Sequence, residues 1–282
     1  MTRSRASEKE TMNYMCQQAV EDASSRLPYP ITDVDLIIFA SYSPDDTVGT
    51  TAHHIQREYE ICNAKAFYMS SACSSAINAL EIIRSFFITG IARKALLICA
   101  DRNSSYSDET DQVSGHLWGD AATATFLSKD ACSPEEPQVI DITTQGLGHI
   151  GQGPQGVSLD LLKEGIQMPF GKDVFMQACT YMTKNTREIV EQNGYTLEDL
   201  NYFIGHQANM RILKNVVKQL DMPEDKILSN IEELGNTGSV STILVFAQNR
   251  DNFKTGDLIC LSVFGGGYSA GSCLVKIPEE NY

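Results

Sequence analysis

No apolar run in this chain approaches the ~20 residues that a bilayer-spanning helix needs. Its first residues, Met1-Thr2-Arg3-Ser4-Arg5, are basic but lead into no apolar stretch, so no secretory signal is predicted. The eight cysteines (16, 62, 73, 99, 132, 179, 260 and 273) contain no CxxC pair and no Cys/His cluster with zinc-ligand spacing. The adjacent His53 and His54 read as the surface of a helix start rather than as metal ligands. These gaps predict a cytoplasmic protein without a metal, whose thiols are mostly buried and inert. Positive charge is scarce as well: 22 Lys and Arg stand against 36 Asp and Glu, for a net charge of −14. Such a field repels nucleic acid and anionic membrane, so neither is expected as a partner. A phosphate-cradling loop is missing too. The glycines at 146, 148, 151, 153 and 156 form a cluster that no strand–turn–helix frames.

The chain does hold 282 residues with 42% hydrophobic content, enough for one large α/β unit or two halves. Continuous apolar runs alternate with helical patterns, which predicts parallel strands buried on both faces. In the first half, helices are expected at 7–25, 50–59 and 74–87, and strands at 35–41, 66–71, 94–100 and 121–127. Residues 130–137, polar with two prolines, read as a linker between halves 1–133 and 138–282. The second half is expected to begin with a strand at 139–143. Helices follow at 171–193, 208–220 and 238–250, and strands at 200–205, 226–231, 257–263 and 271–277. The two halves repeat one order of elements, which implies a duplicated α/β unit. Only the opening strand of the second half has no counterpart in the first.

Three polar residues occupy corners where an apolar run meets a helix or a glycine turn. Cys73 lies in Ala72-Cys73-Ser74-Ser75-Ala76, His206 in Gly205-His206-Gln207-Ala208-Asn209, and Asn236 in Gly235-Asn236-Thr237-Gly238-Ser239. A thiol, an imidazole and an amide placed by rigid elements suggest nucleophilic catalysis at a carbonyl. A helix start at residue 74 is expected to favour the Cys73 thiolate through its dipole. Arg211, Lys214 and Lys218 fall at i, i+3 and i+7, a basic stripe on one helix face just after His206.

These segments, with Gly119-Asp120-Ala121-Ala122 and Phe264-Gly265-Gly266-Gly267-Tyr268, occur in an order that resembles the β-ketoacyl-acyl-carrier-protein synthase III family of condensing enzymes. The resemblance spans about residues 10–277 and implies a thiolase-like duplicated α/β/α/β/α layered fold. It implies that Cys73 holds an acyl group while His206 and Asn236 receive a malonyl-type extender. The N–H groups of Cys73 and Gly266 would form an oxyanion hole, and Phe264 an apolar wall. It further implies acyl carrier protein as partner, received by the stripe of Arg211, Lys214 and Lys218. Substrates would be phosphopantetheine-borne or coenzyme A thioesters, with no resident cofactor. A homodimer would pair the strand at 66–71 across a two-fold axis.

The chain departs from the family in places. A strand expected at the centre of the first sheet has no residues to form it, and a start upstream of Met1 is expected. Gln112 and Lys172 stand at positions where the family carries coenzyme-A-contacting Arg and Asn, which favours a carrier-borne primer. Val48 replaces a phenylalanine that limits primer length from the partner subunit, which leaves room for a longer acyl chain. Alternatives are an acyltransferase of the same fold that uses an alcohol or amine, a non-catalytic synthase subunit, a Cys-His-Asn protease, and thiolase. The last lacks a second cysteine in the glycine-rich C-terminal motif.

Overall fold

The computed structural model describes residues 2–108, 110–111, 114–133, 135–159 and 165–278. After an extended N-terminal segment come α1 (Met12–Ser24), β1 (Leu36–Ala40), α2 (Thr51–Glu58), β2 (Lys65–Met69), α3 (Ser75–Ile88), β3 (Lys94–Arg102) and β4 (Asp120–Ser128). The chain continues through β5 (Gln138–Gly146), the two-residue strands β6 (Ser158–Leu159) and β7 (Ile166–Gln167), and α4 (Gly171–Gln192). It ends with β8 (Tyr202–Gly205), α5 (Met210–Gln219), the single turn α6 (Ile231–Leu234), α7 (Ser241–Gln248), β9 (Leu258–Gly265) and β10 (Ser269–Lys276).

Two four-stranded sheets form, in the orders β2-β1-β3-β4 and β5-β10-β9-β8. In the first, β1 runs parallel to both β2 and β3, and β4 is antiparallel to β3. All five residues of β1 are buried apolar side chains, as a central parallel strand requires. Layering follows from what each face buries. α1 and α2 cover the outer face of the first sheet, through Met12, Val20, Ile55, Ile37, Phe39 and Ile98. α3 and α7 lie between the sheets, where Ile77, Leu80 and Ile83 meet Ile38, Leu97, Ile142 and Leu261. α4 and α5 cover the second sheet. In α5, Ile212, Leu213, Val216 and Val217 form the buried stripe, and the side chain of Asn209 caps the first turn by accepting from the Arg211 N–H. The result is the expected five-layered α/β/α/β/α arrangement.

The expected gap at the centre of the first sheet is absent. β1 and β3 pair directly along five residues, from Leu36 opposite Ala95 to Ala40 opposite Cys99. The position to compare is that of β5, which flanks β10 at the edge of the second sheet. Its equivalent in the first sheet lies outside β4, so no central backbone groups are left unpaired. The expected strand at 226–231 does not form either. Ile227 makes one isolated bridge to Phe203, next to a 3-10 turn at Glu224–Lys226. The N-terminal segment joins the halves, because Thr2 and Ser4 N–H groups donate to Glu232 and Leu234 carbonyls and Ser4 accepts from Asp120 N–H.

Candidate active site

Cys73 stands between β2 and α3, on a turn that begins with backbone strain. Ala72 adopts φ +52°, a left-handed conformation that a non-glycine residue rarely takes without a functional reason. The turn is held by its own serines: Ser74 Oγ donates to Ser71 O and Ser75 Oγ donates to Ala72 O. β9 delivers Gly265 against it. A Cβ at Gly265 would lie 2.8 Å from Ser74 N and 3.0 Å from Cys73 N, so only glycine permits this approach. That contact brings Gly266 beside the thiol, where its N–H and that of Cys73 both favour the thiolate.

Burial nevertheless governs the thiol. It pushes Cys73 up to about 12, and the charge of Asp101 adds to the rise, against the pull of the two N–H groups. The N–H groups pull towards the thiolate, as expected at this corner, but burial is the larger effect. The sulfur is enclosed by protein although the residue keeps partial exposure, and desolvation outweighs the two N–H groups. Cys73 rests as a thiol at neutral pH.

His206 directly follows β8 and is 4% exposed. Its backbone N–H donates to Ser262 O on β9, three residues before Gly265. Nδ1 lies 2.8 Å from Ser241 Oγ, at the start of α7. Ser241 Oγ also accepts from the Gln207 N–H, which leaves its hydroxyl proton free to be donated to Nδ1. In the tautomer with that hydroxyl donating to Nδ1, Nε2 carries the proton and the neutral ring is a donor. Burial holds its pKa down at about 4, which keeps the ring neutral through physiological pH.

Asn236 is 5% exposed and sits between Gly235 and Gly238, both at positive φ. Its N–H donates to Leu117 O, and its Oδ1 accepts from the Gly238 N–H. With Oδ1 so engaged, the amide is fixed with Nδ2 as its outward donor. Ser239 and Ser241, on the same turn, reach Asp101 beside Cys73 and His206 respectively. These bonds tie the Asn236 turn to His206 and to Asp101, and β9 links Cys73 to His206 through Gly265 and Ser262: an enclosed thiol with two N–H groups, and two neutral donors from the other half. Such a set can hold an acyl group on sulfur and stabilise a negative charge growing on a second carbonyl.

Phe264 is buried, with its ring 4.9 Å from Tyr268 and 6.4 Å from Tyr181. Tyr268 donates to Asp173 on α4, which also accepts from the Gln152 N–H and thereby holds the glycine-rich loop against α4. Val48 lies on the β1–α2 connection at 86% exposure and lines neither described cavity. The larger cavity, about 370 Å³, lies at the start of α4 between Phe170, Lys172, Asp173 and Met176, away from the three corners. Gln112 lies outside the described residues.

Arg211, Lys214 and Lys218 are exposed on one face of α5. Lys214 differs from its neighbours, because its Nζ lies 2.9 Å from Glu224 and that carboxylate stabilises its charged form. Among the described residues no group of three or more His, Cys, Asp or Glu side chains is placed to hold a metal ion, and no helix is long and apolar enough to cross a membrane. Asp101, Asn103 and Ser241 escape a motif search, since none lies in a catalytic segment. The one available signal was an acid closing the apolar run at 95–100.

The chain matches two family models, 3-oxoacyl-[acyl-carrier-protein] synthase III over residues 67–148 and its C-terminal counterpart over residues 190–277. It is 32% identical over 283 residues to a β-ketoacyl-[acyl-carrier-protein] synthase III of Campylobacter jejuni, covering 98% of this chain and 86% of that protein. The crystal structure of 3-oxoacyl-[acyl-carrier-protein] synthase III from Aquifex aeolicus superposes with a TM-score of 0.89 at 30% identity, over 97% of this chain and 87% of that one. The priming β-ketosynthase of the R1128 polyketide pathway superposes with a TM-score of 0.83 at 25% identity, over 99% and 85%. With its layered fold and its Cys-His-Asn corners, this chain belongs to the β-ketoacyl-acyl-carrier-protein synthase III family of condensing enzymes.

Proposed function

We propose that the protein transfers an acyl group to Cys73 and then condenses it with a malonyl thioester, losing carbon dioxide, to give a β-ketoacyl thioester. The observation that carries this is the pairing of an enclosed thiol with two neutral donors fixed from the other half. In the first step Cys73 sulfur attacks the acyl carbonyl while the N–H groups of Cys73 and Gly266 hold the oxyanion. The departing thiolate takes up the proton that Cys73 gives up. In the second step His206 Nε2–H and Asn236 Nδ2–H bind the extender's thioester carbonyl. Charge gathers on that oxygen as the carboxylate leaves as carbon dioxide, and neutral donors stabilise it without first pairing with the carboxylate. The enolate carbon then attacks the acyl group and Cys73 departs as thiolate to be reprotonated. Phe264 supplies an apolar wall that disfavours the charged carboxylate.

The acyl group comes from a phosphopantetheine or coenzyme A thioester, so the chemistry calls for no resident cofactor, and the setting is cytoplasmic. β2 is the edge strand of the first sheet and carries half-buried Phe67, Tyr68 and Met69. Pairing of that edge with a second copy would cover it and form a homodimer. The exposed Val48 would then face the partner's acyl pocket, where its small side chain admits a long or branched primer. Native mass spectrometry with a panel of acyl thioesters tests both points. The expected result is a particle of twice 31.1 kDa whose Cys73 adducts favour longer acyl groups. Adducts from acetyl-coenzyme A alone, or a monomer, would refute these points. Release of carbon dioxide from malonyl thioester separates condensation from acyl transfer to an alcohol or amine.

Arg211 and Lys218 supply the positive field for the acidic carrier protein, with Lys214 contributing less because Glu224 already neutralises it. Arg211→Glu is expected to raise KM for a carrier-borne extender about tenfold, and Lys214→Glu by less, as rim charges mainly affect encounter. KM for a short pantetheine analogue should stay unchanged. Equal effects on both substrates would exclude a carrier-docking role.

A further inference from the structure

Asp101, near the end of β3, is fully buried yet forms no described ion pair. Its carboxylate accepts six hydrogen bonds instead. Oδ1 receives Ser41 Oγ (2.9 Å), Tyr42 N (3.0 Å), Ser43 N (3.2 Å) and Ser43 Oγ (2.9 Å), all from the β1–α2 connection of the same half. Oδ2 receives Ser239 N and Ser239 Oγ, both at 2.7 Å, from the other half. Two residues further, the buried Asn103 forms a second arm. Its Nδ2 donates to Gly119 O (2.8 Å) and Asn236 O (3.1 Å), and its Oδ1 accepts from Tyr42 OH (2.7 Å). Both arms grip the same turn. That turn begins with Asn236 and ends with Ser241, the partner of His206 Nδ1. It closes tightly on the acid, since a Cβ at Gly238 would lie 2.4 Å from Asp101 Oδ2.

A brace between two halves can be built from apolar side chains at less desolvation cost. A carboxylate collects donors from two directions, and it does so here between the thiol and the turn that carries the second-substrate donors. We infer that Asp101 is a positioning residue for condensation: through Ser239 it fixes the Asn236 amide, and through the same turn the Ser241–His206 pair, at a set distance from Cys73. Its charge also bears on the thiol, because it is a cause of the raised Cys73 pKa. Among the described residues, Tyr42, Cys73, Cys99, Cys16 and Tyr68 feel its charge, and none of these five is cationic.

Because the inference rests on the function proposed above, the test keeps the two apart. Three quantities are measured on wild type, Asp101→Asn and Ser239→Ala: Cys73 adduct formation, carbon dioxide release from malonyl thioester, and the pH dependence of Cys73 alkylation by iodoacetamide. Asp101→Asn is expected to lower carbon dioxide release about 10- to 100-fold while the adduct still forms, and to move the alkylation midpoint to lower pH. Ser239→Ala keeps the charge, so its midpoint should match wild type while carbon dioxide release falls several-fold. The inference is overturned if the Asp101→Asn midpoint stays at the wild-type value, or if its two half-reactions fall together. Should Asp101→Asn not fold, carbon dioxide release by Ser239→Ala within twofold of wild type overturns it. Wild-type protein that forms an adduct but releases no carbon dioxide would instead refute the proposed function.

Discussion

Cys73→Ala should abolish acyl transfer and leave malonyl decarboxylation in place. In the proposed reaction the two half-reactions use different groups, and each is assigned as in that proposal. Sulfur, with the N–H groups of Cys73 and Gly266 around it, belongs to the first. His206 and Asn236, fixed by Ser241 and by the Gly238 N–H, belong to the second. Removal of the nucleophile takes away the covalent intermediate, so overall turnover is expected to fall by on the order of 10⁴-fold or more. No acyl adduct should be seen by intact mass. Carbon dioxide release from a malonyl thioester should stay within about tenfold of wild type, since His206 and Asn236 keep their own partners, Ser241 and the Gly238 N–H. An alanine in place of the thiol also removes a group that burial keeps protonated, so no buried charge is uncovered and the fold should persist. Loss of both half-reactions in a folded variant would contradict the division of labour between the halves.

Much of this arrangement was legible in the sequence because it depends on local pattern. The run at 95–100 is continuous and apolar, and it lies in β3, buried on both faces. The corners at Cys73, His206 and Asn236 are marked by an apolar run that stops at a small or polar residue, a feature of a few adjacent positions. Non-local facts were not legible. Strand order is set by pairing between distant segments, so the neighbour of β1 could not be read from chain order. The helix expected at 238–250 begins instead as a 3-10 turn at Gly238–Val240, where the Ser239 N–H donates to Asp101, 138 residues away. The stretch at 226–231 is apolar enough for a strand, yet it pairs only once beside β8. The burial that governs Cys73 escapes the sequence for a similar reason. A helix start is visible in sequence, whereas enclosure of the sulfur by β9 and by Asp101 is not.

His206→Ala carries the other large effect, and it has a signature in pH as well as in rate. Loss of one preorganised donor to a developing oxyanion costs about 10²–10³-fold in the step it serves. Decarboxylation should fall by that factor, while acylation of Cys73 is retained. The pH dependence follows from the depressed pKa. With the folded value at about 4 and the ordinary value at 6.5, the ring is neutral in the folded protein through pH 5–8, and decarboxylation should show no His206 titration in that range. Stability behaves differently. Between pH 6.5 and about 4 the unfolded chain binds a proton that the folded chain excludes, so the stabilising contribution is present in full above 6.5 and is lost as pH falls towards 4. That interval is worth roughly 3 kcal/mol. Other acidic groups contribute to the wild-type slope, so the decisive quantity is the difference between wild type and His206→Ala in urea unfolding at pH 7.5 and pH 4.5. The variant lacks the titrating ring, and its stability should decline less over that range. Parallel curves for the two proteins would mean that the ring is charged at low pH in the folded state, and would remove the basis for treating His206 as a neutral donor.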